Sequence, residues 1–464
     1  MGRMSLLPHH NIPRDTLIES KGVSNRITMD YKDLIFPDGF RWGTASSAHQ
    51  SEGGTHNDWS EWEKIPGNIK DGKNASVACD HYARFEDDFD LMKEFGHHVH
   101  RFSVEWSRIE PVQGRWNEKE LGHYRKVVSS LLERGIQPML TLHHFTIPLW
   151  FRDMGSWLNP EAPEIFGIYA RKVAEALSDL DIIWNTINEP MVIAAAGYLF
   201  GDFPPQEKDF GKAMTVTQHM LMAHGQAATS VREVYTEQGK EQPLIAPVLS
   251  VSYFMPQNAE SPEDIELANY LDDLYNQAWV RGAVTAKVPD ADGNEFRYKQ
   301  LENSVDFIGM NYYSRQVVSS EMDFLAGEAP EKTIAERCDG LDWEVYPEGY
   351  YPLIKSYWEK YQKPLWMTEN GIGTTDDSLK RKYIMKHLQQ VHRAIQDGID
   401  IRGYLIWTWV TNFEWAEGFG SDFGLVGMEH QTLNRQPRES AFMFKDIIQN
   451  NGMTRVLQER YLKG

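Results

Sequence analysis

Ile182-Ile183-Trp184-Asn185-Thr186-Ile187-Asn188-Glu189-Pro190 reads as a buried strand that ends in polar chemistry. The β-branched and aromatic run predicts the strand, and Pro190, without an N–H to donate, forbids its extension. A carboxamide and a carboxylate are left side by side where the strand stops. Leu365-Trp366-Met367-Thr368-Glu369-Asn370-Gly371 repeats the arrangement, with Gly371 expected to allow a sharp turn. A carboxylate after an apolar strand is costly to bury unless something satisfies it.

Six further strand-like runs lie at residues 40–45, 99–104, 137–143, 244–250, 305–311 and 402–407, with the two above at 182–188 and 364–368. Amphipathic stretches lie between them, at 84–95, 124–134, 164–177, 214–237, 265–280, 349–361 and 379–397, several closing near a glycine such as Gly96, Gly135 or Gly398. Strand and helix alternating eight times predicts an α/β fold, a single (β/α)8 TIM barrel. No Pro- or Ser-rich linker divides it, so the expected layout is an N-terminal arm at 1–35 and one barrel at 36–464. A minimal barrel leaves about 200 residues over. These are assigned to long βα loops over the C-terminal face, at 46–77, 193–211, 251–262 and 317–345, where chemistry is expected in this architecture.

The chain has 464 residues, 41% hydrophobic and 25% charged, which is enough apolar material for a large core. Its net charge of -20 repels phosphate backbones and anionic lipid, so neither nucleic acid nor a membrane surface is expected as a partner. No apolar run reaches the length of a signal peptide or membrane helix. Cys79 and Cys338 are too few for a disulfide framework and lack zinc-site spacing. A cytoplasmic location follows as the expectation. The 15 Trp residues suit either core filling or flat surfaces for stacking sugars.

For one Glu at a strand end, a structural ion pair would suffice as explanation; two at one barrel mouth suggest a working pair. Glycoside hydrolysis needs such a pair, one carboxyl protonating the leaving oxygen and the other attacking or activating water. Asn188-Glu189-Pro190 and Thr368-Glu369-Asn370-Gly371 resemble the two signature motifs of glycoside hydrolase family 1, the retaining β-glycosidases. Further matches follow in order: Trp42-Gly43-Thr44-Ala45 with Gln50; Arg101-Phe102-Ser103-Val104; Leu140-Thr141-Leu142 with His144; Asp306-Phe307-Ile308-Gly309-Met310-Asn311-Tyr312-Tyr313; and Trp407 with Asn412-Phe413-Glu414-Trp415. The resemblance spans roughly residues 36 to 440.

The resemblance implies Glu189 as general acid/base and Glu369 as nucleophile. Arg101 and Tyr313 are expected to keep Glu369 ionised, and a less polar setting beside that charge to keep Glu189 protonated. It further implies Gln50, His144, Asn188, Glu414 and Trp415 as sugar-binding groups, Trp407 as a stacking floor, and Asn311 as a carboxamide beside the nucleophile. Neither metal nor organic cofactor is implied. The expected activity is release of terminal β-linked glucose, galactose or fucose from small β-glycosides or oligosaccharides with net retention, and a homo-oligomer is left open. The alternatives are a 6-phospho-β-glycosidase, opposed by the carboxylate of Glu414, a transglycosylase, and an inactive sugar-binding barrel, opposed by the presence of both Glu residues.

Three positions depart from the family pattern: Phe145 stands where Trp is frequent, Thr411 where Asp is usual, and His49 where Tyr is common. His97, His98 and His100 resemble half a metal site but sit at the wrong end of the barrel. Met214, Met220 and Met222 read as core. Glu86-Asp87-Asp88 and Asp376-Asp377 read as solvated helix faces, with Asp376 at a helix start.

Overall fold

The computed structural model describes residues 31–289, 294–322, 336–429 and 431–462. Eight strands close into a barrel, β1 (Arg41–Ala45), β2 (Val99–Ser103), β3 (Gln137–His143), β4 (Ile183–Asn188), β5 (Ile245–Pro256), β6 (Ile308–Val318), β7 (Leu365–Asn370) and β8 (Ile401–Trp407). Each pairs in parallel with its sequence neighbours, and β8 closes on β1 with Trp407 opposite Ala45. This is the (β/α)8 architecture that the alternation predicts. The outer helices are α1 (His81–Glu94), α2 (Glu118–Glu133), α3 (Ala162–Leu177), α4 (Phe210–Glu237), α5 (Pro262–Leu271), α6 (Tyr350–Tyr361), α7 (Asp377–Gln396) and α8 (Glu439–Gln449).

Local chemistry explains where the helices start. Asn117, Asp209, Ser261 and Asp376 each accept a backbone N–H from the first turn of α2, α4, α5 and α7 respectively, satisfying donors that the helix cannot. The helices then bury one face on the barrel: Val128, Leu131, Val173, Val231 and Leu388 are all fully buried.

Several boundaries differ from those expected. Residues 251–256, expected in a loop, continue β5, and the expected strand at 305–311 begins at Ile308 and runs to Val318. The two extensions pair with each other, Tyr253 opposite Arg315 and Met255 opposite Val317. The backbone groups of the two extensions satisfy one another across this pairing. Asp306 is held off the strand because its side chain accepts from the Ile245 N–H and from Arg232. The single helix expected at 265–280 is divided by a wide turn at Asp272–Gln277. There Asn276 spends its amide on both backbone groups of Ser252, pulling the chain onto β5.

Asp88 is no solvated residue: it is fully buried and takes a two-pronged ion pair from Arg435 together with a hydrogen bond to His81. Asp377 is likewise engaged, accepting from Arg381 and from the N–H of Ser440, while Asp376 caps α7 as expected. Gly371 serves close approach rather than a turn, since a Cβ there would lie 2.0 Å from the Trp407 carbonyl. Leu34–Ile35, assigned to the arm, pair with Gly452–Met453 and so belong to the body of the fold. The expected loop at 317–345 lies partly outside the described residues.

Candidate active site

The C-terminal ends of the strands converge on a pocket of about 260 Å³, with Glu189, Glu369, His144, Tyr313, Trp407, Glu414 and Trp415 on its wall. Glu369 lies in β7, opposite Asn311 of β6 in the sheet register. Glu189 follows the last residue of β4 in a left-handed conformation (φ 48°), unusual for a residue with a side chain, and its N–H donates to Val248 of β5. Such conformations cluster where a side chain must be aimed.

One hydrogen-bonded array joins the two carboxyls. Arg101, fully buried in β2, donates to Glu369 Oε1 at 2.5 Å, to Asn188 Oδ1 at 2.6 Å and to Thr141 at 3.1 Å. Tyr313 Oη donates to Glu369 Oε2 at 2.5 Å. Asn311 Nδ2 donates to Glu189 Oε1 at 2.8 Å and to Asn188 Oδ1 at 3.2 Å, and its own Oδ1 accepts from Thr368 at 2.7 Å. Both oxygens of Glu369 therefore receive charge-assisted or phenolic donors, whereas Glu189 receives a single amide.

Burial pushes both carboxyls up from the ordinary carboxylate range. At Glu369 the Arg101 guanidinium and the Tyr313 hydroxyl pull the other way. Glu189 is driven up to about 8 by burial and by the charge of Glu369, opposed only weakly by Asn311 and Arg101. Of this coupled pair Glu369 has its charged form the better stabilised, by Arg101 and Tyr313, and gives up its proton the more readily.

The remaining expected groups gather around this pair. Asn188 Nδ2 lies 3.2 Å from His144 Nε2, and burial and Arg101 hold that imidazole neutral by pushing its pKa well down. His144 Nδ1 has no partner among the described residues. The ring stacks against Trp407 and Trp415 at centroid distances of 5.8 and 6.0 Å. Gln50, on the short helix Ala48–Ser51 after β1, donates to Glu414 at 3.2 Å and to the Phe413 carbonyl at 2.9 Å.

Glu414 requires a correction to its expected role. Burial pushes its pKa up to about 8, so near neutral pH its repulsion of a phosphate is reduced. A different feature takes over that argument: among the described residues the pocket wall carries no Lys or Arg to hold a phosphate. The three departures are accommodated: His49 pairs with Glu63 at 2.6 Å and stacks on Trp415, Thr411 donates to Asp422 at 2.8 Å, and Phe145 packs 4.8 Å from Trp415. His97 and His100 are buried and bonded to the Met92 carbonyl and to Thr44 and Ser46.

Sequence reasoning passed over Thr368, which orients Asn311, and Trp343 and Tyr275 on the pocket wall. Thr368 adjoins Glu369 in the quoted motif and was legible there. Trp343 lies in an expected loop and Tyr275 in the stretch 265–280, where helical periodicity signals packing and not the site.

A barrel with two buried carboxyls held by unequal partners at the ends of β4 and β7, edged by indoles and carboxamides, has the makings of a glycosidase-type site. The chain matches the profile described as "Glycosyl hydrolase family 1" over residues 32–453 and belongs to that family. It is 34% identical to beta-glucosidase A of Acetivibrio thermocellus, over 90% of this chain and 99% of that one. It is 29% identical to a beta-galactosidase of Pyrococcus woesei, over 93% and 100% of the two chains. A solved beta-glycosidase from Pyrococcus horikoshii superposes with a TM-score of 0.83 at 36% identity, covering 92% of this chain and 98% of its own. The protein is accordingly a glycoside hydrolase.

Proposed function

We propose that the enzyme cleaves terminal, non-reducing β-D-glucosyl residues, with galactosyl and fucosyl residues also accepted, by double displacement with retention. The observation that carries this reading is the asymmetry of the two carboxyls: Glu369 held by Arg101 and Tyr313, Glu189 by one amide. Glu369 attacks the anomeric carbon while Glu189 donates its proton to the departing oxygen, and a glycosyl ester forms on Glu369. With the negative charge of Glu369 consumed in the ester, Glu189 loses its proton more readily. It then takes a proton from water, which attacks the ester and releases the β-sugar.

His144, Asn188, Gln50 and Glu414 are assigned to the sugar hydroxyls, Trp407 and Trp415 to its faces, and Asn311 to Glu189. The unpartnered Nδ1 of His144 suits a hydroxyl acceptor. The chain from Leu34 onward is read as one catalytic domain with an arm before it. The two buried free thiols are in keeping with a cytoplasmic setting.

A panel of nitrophenyl β-glycosides, with and without a 6-phosphate, tests the substrate class. Unphosphorylated glucoside is expected to be turned over far faster, and the reverse preference would overturn the assignment. Proton NMR of the first-formed sugar tests stereochemistry: the β-anomer is expected, and an initial α-anomer would exclude double displacement.

A further inference from the structure

The backbone pairing of β6 with β7 ends where Asn311 lies opposite Glu369. Tyr313, whose hydroxyl bonds Glu369 Oε2, stands beyond that last pair. On its other side the pairing of β6 with β5 is irregular between Tyr312 and Arg315. The backbone at Tyr313 is therefore in register with neither neighbouring strand, at the very place where a drift would alter the hold on Glu369.

Side chains replace the missing ladder. Asn370, next to Glu369 on β7, donates Nδ2 to the Tyr312 carbonyl at 2.6 Å. Tyr383 of α7 donates its hydroxyl to the Tyr313 carbonyl at 2.7 Å and accepts from Asn370 Nδ2 at 3.1 Å. Tyr404 of β8 donates to Asn370 Oδ1 and so fixes which way that amide points. Tyr383, Asn370 and Tyr404 are all fully buried, so solvent does not compete for these bonds. The Tyr383 ring is held in turn by His387, stacked on it at 3.8 Å between centroids.

A buried tyrosine hydroxyl needs partners wherever it lies. The partners of this one are particular: the first adjoins Glu369 in sequence, and the second belongs to the residue whose phenol bonds Glu369. Trp343 and Phe423 pack on the Tyr313 ring, at 5.3 and 5.9 Å between centroids, and steady the ring while its carbonyl is left to Tyr383.

We propose that Tyr383 is a positioning residue of the reaction: by bridging Asn370 and the Tyr313 carbonyl it sets the spacing of β6 and β7 at the barrel mouth, and with it the hold of the Tyr313 hydroxyl on Glu369. The part given to Glu369 rests on the proposed function; the bridge between the strands does not.

A hydroxyl bonded to a carboxylate favours its charged form, so a looser hold raises the pKa of Glu369. The acid limb of kcat/KM reads that pKa. Glu369 is faced by Arg101 from β2, by Glu189 after β4, by Tyr313 from β6 and by Glu414 across the pocket. Glu189 and Glu414 titrate near 8 and so act on the alkaline side.

Tyr313→Phe, which removes the hydroxyl outright, should move the acid limb up by about one pH unit. Tyr383→Phe should move it up by about half a unit, a roughly threefold loss of ionised Glu369 on the limb. In the double variant the Tyr383→Phe shift should vanish, because the hydroxyl it acts through is gone. A limb that moves in Tyr313→Phe and stays in place in Tyr383→Phe, with only the melting temperature lowered, would overturn the proposal and leave the proposed function intact. A Tyr383→Phe shift that persists undiminished in the double variant would overturn it as well, since the effect would not pass through Tyr313. A limb unmoved by Tyr313→Phe itself would count against Glu369 as the carboxyl that must be ionised, and so against the reading on which the proposal rests. Tyr404→Phe frees the same amide and guards against misfolding of the Tyr383 variant: an upward shift is expected, and an unmoved limb would overturn the bridge.

Discussion

Asn311 donates its side-chain amide to Glu189 at 2.8 Å, and in the barrel register Asn311 lies opposite Glu369. One amide thus sits between the two carboxyls on a strand that carries neither. Because it favours the charged form of Glu189, it draws that pKa down against burial.

Removing it in Asn311→Ala should therefore raise the pKa of Glu189 still further. A hydrogen bond to a charged group contributes about 1.5 to 3 kcal/mol, equivalent to roughly one to two pH units. The alkaline limb of kcat/KM should move up by that amount while kcat falls, since Glu189 then serves less well as the base toward water. A limb that moved down would show that the amide does not act on Glu189.

The pH dependence of the unaltered enzyme follows from the same pair. Glu189 must be protonated and Glu369 ionised, so kcat/KM should fall as pH rises through about 8, where Glu189 loses its proton, and fall again in acid as Glu369 gains one. Glu414 also titrates near 8. Glu414→Gln separates the two, because the alkaline limb should survive it, at reduced activity. A kcat/KM still rising at pH 9 would contradict the acid assigned to Glu189.

Azide distinguishes the two carboxyls by the step each performs. Glu369→Ala should stop turnover of every substrate, and azide entering the vacated face should give the α-glycosyl azide. Glu189→Ala should still form the ester from an activated nitrophenyl glycoside, and azide, needing no base, should give the β-glycosyl azide. The opposite pairing of anomers would reverse the assignment.

Stability in acid should be set by buried imidazoles. Burial pushes His97, His143, His224 and His387 from 6.5 down to about 3. Between those values the unfolded chain binds protons that the folded one excludes, so the contribution of these four groups is fully present above about pH 6.5 and is lost as pH falls toward 3, while the raised carboxyls of Asp58, Glu189 and Glu414 work in the opposite sense. The slope is up to roughly 1.4 kcal/mol per pH unit for each histidine. Denaturant midpoints across pH 4 to 7 would check this, and His224→Gln, which keeps polar atoms beside Thr186 and Ser304, should flatten the slope. An unchanged slope would remove His224 from the account.

Sequence alone determined the barrel and both carboxyls. Strand periodicity and the abrupt polar ends at Asn188-Glu189-Pro190 and Thr368-Glu369-Asn370 are properties of neighbouring residues, and such local patterns survive in one dimension. The same locality misjudged Asp88, whose polar neighbours Glu86 and Asp87 suggested solvent. Its partner Arg435 is 347 positions away, a separation that no window along the chain spans. The upward pKa shifts of Glu189 and Glu414 and the amide placed between the carboxyls were decided only by tertiary structure. Each depends on which distant groups desolvate, charge or abut one another, and a pKa is a sum over spatial neighbours that the order of residues does not contain.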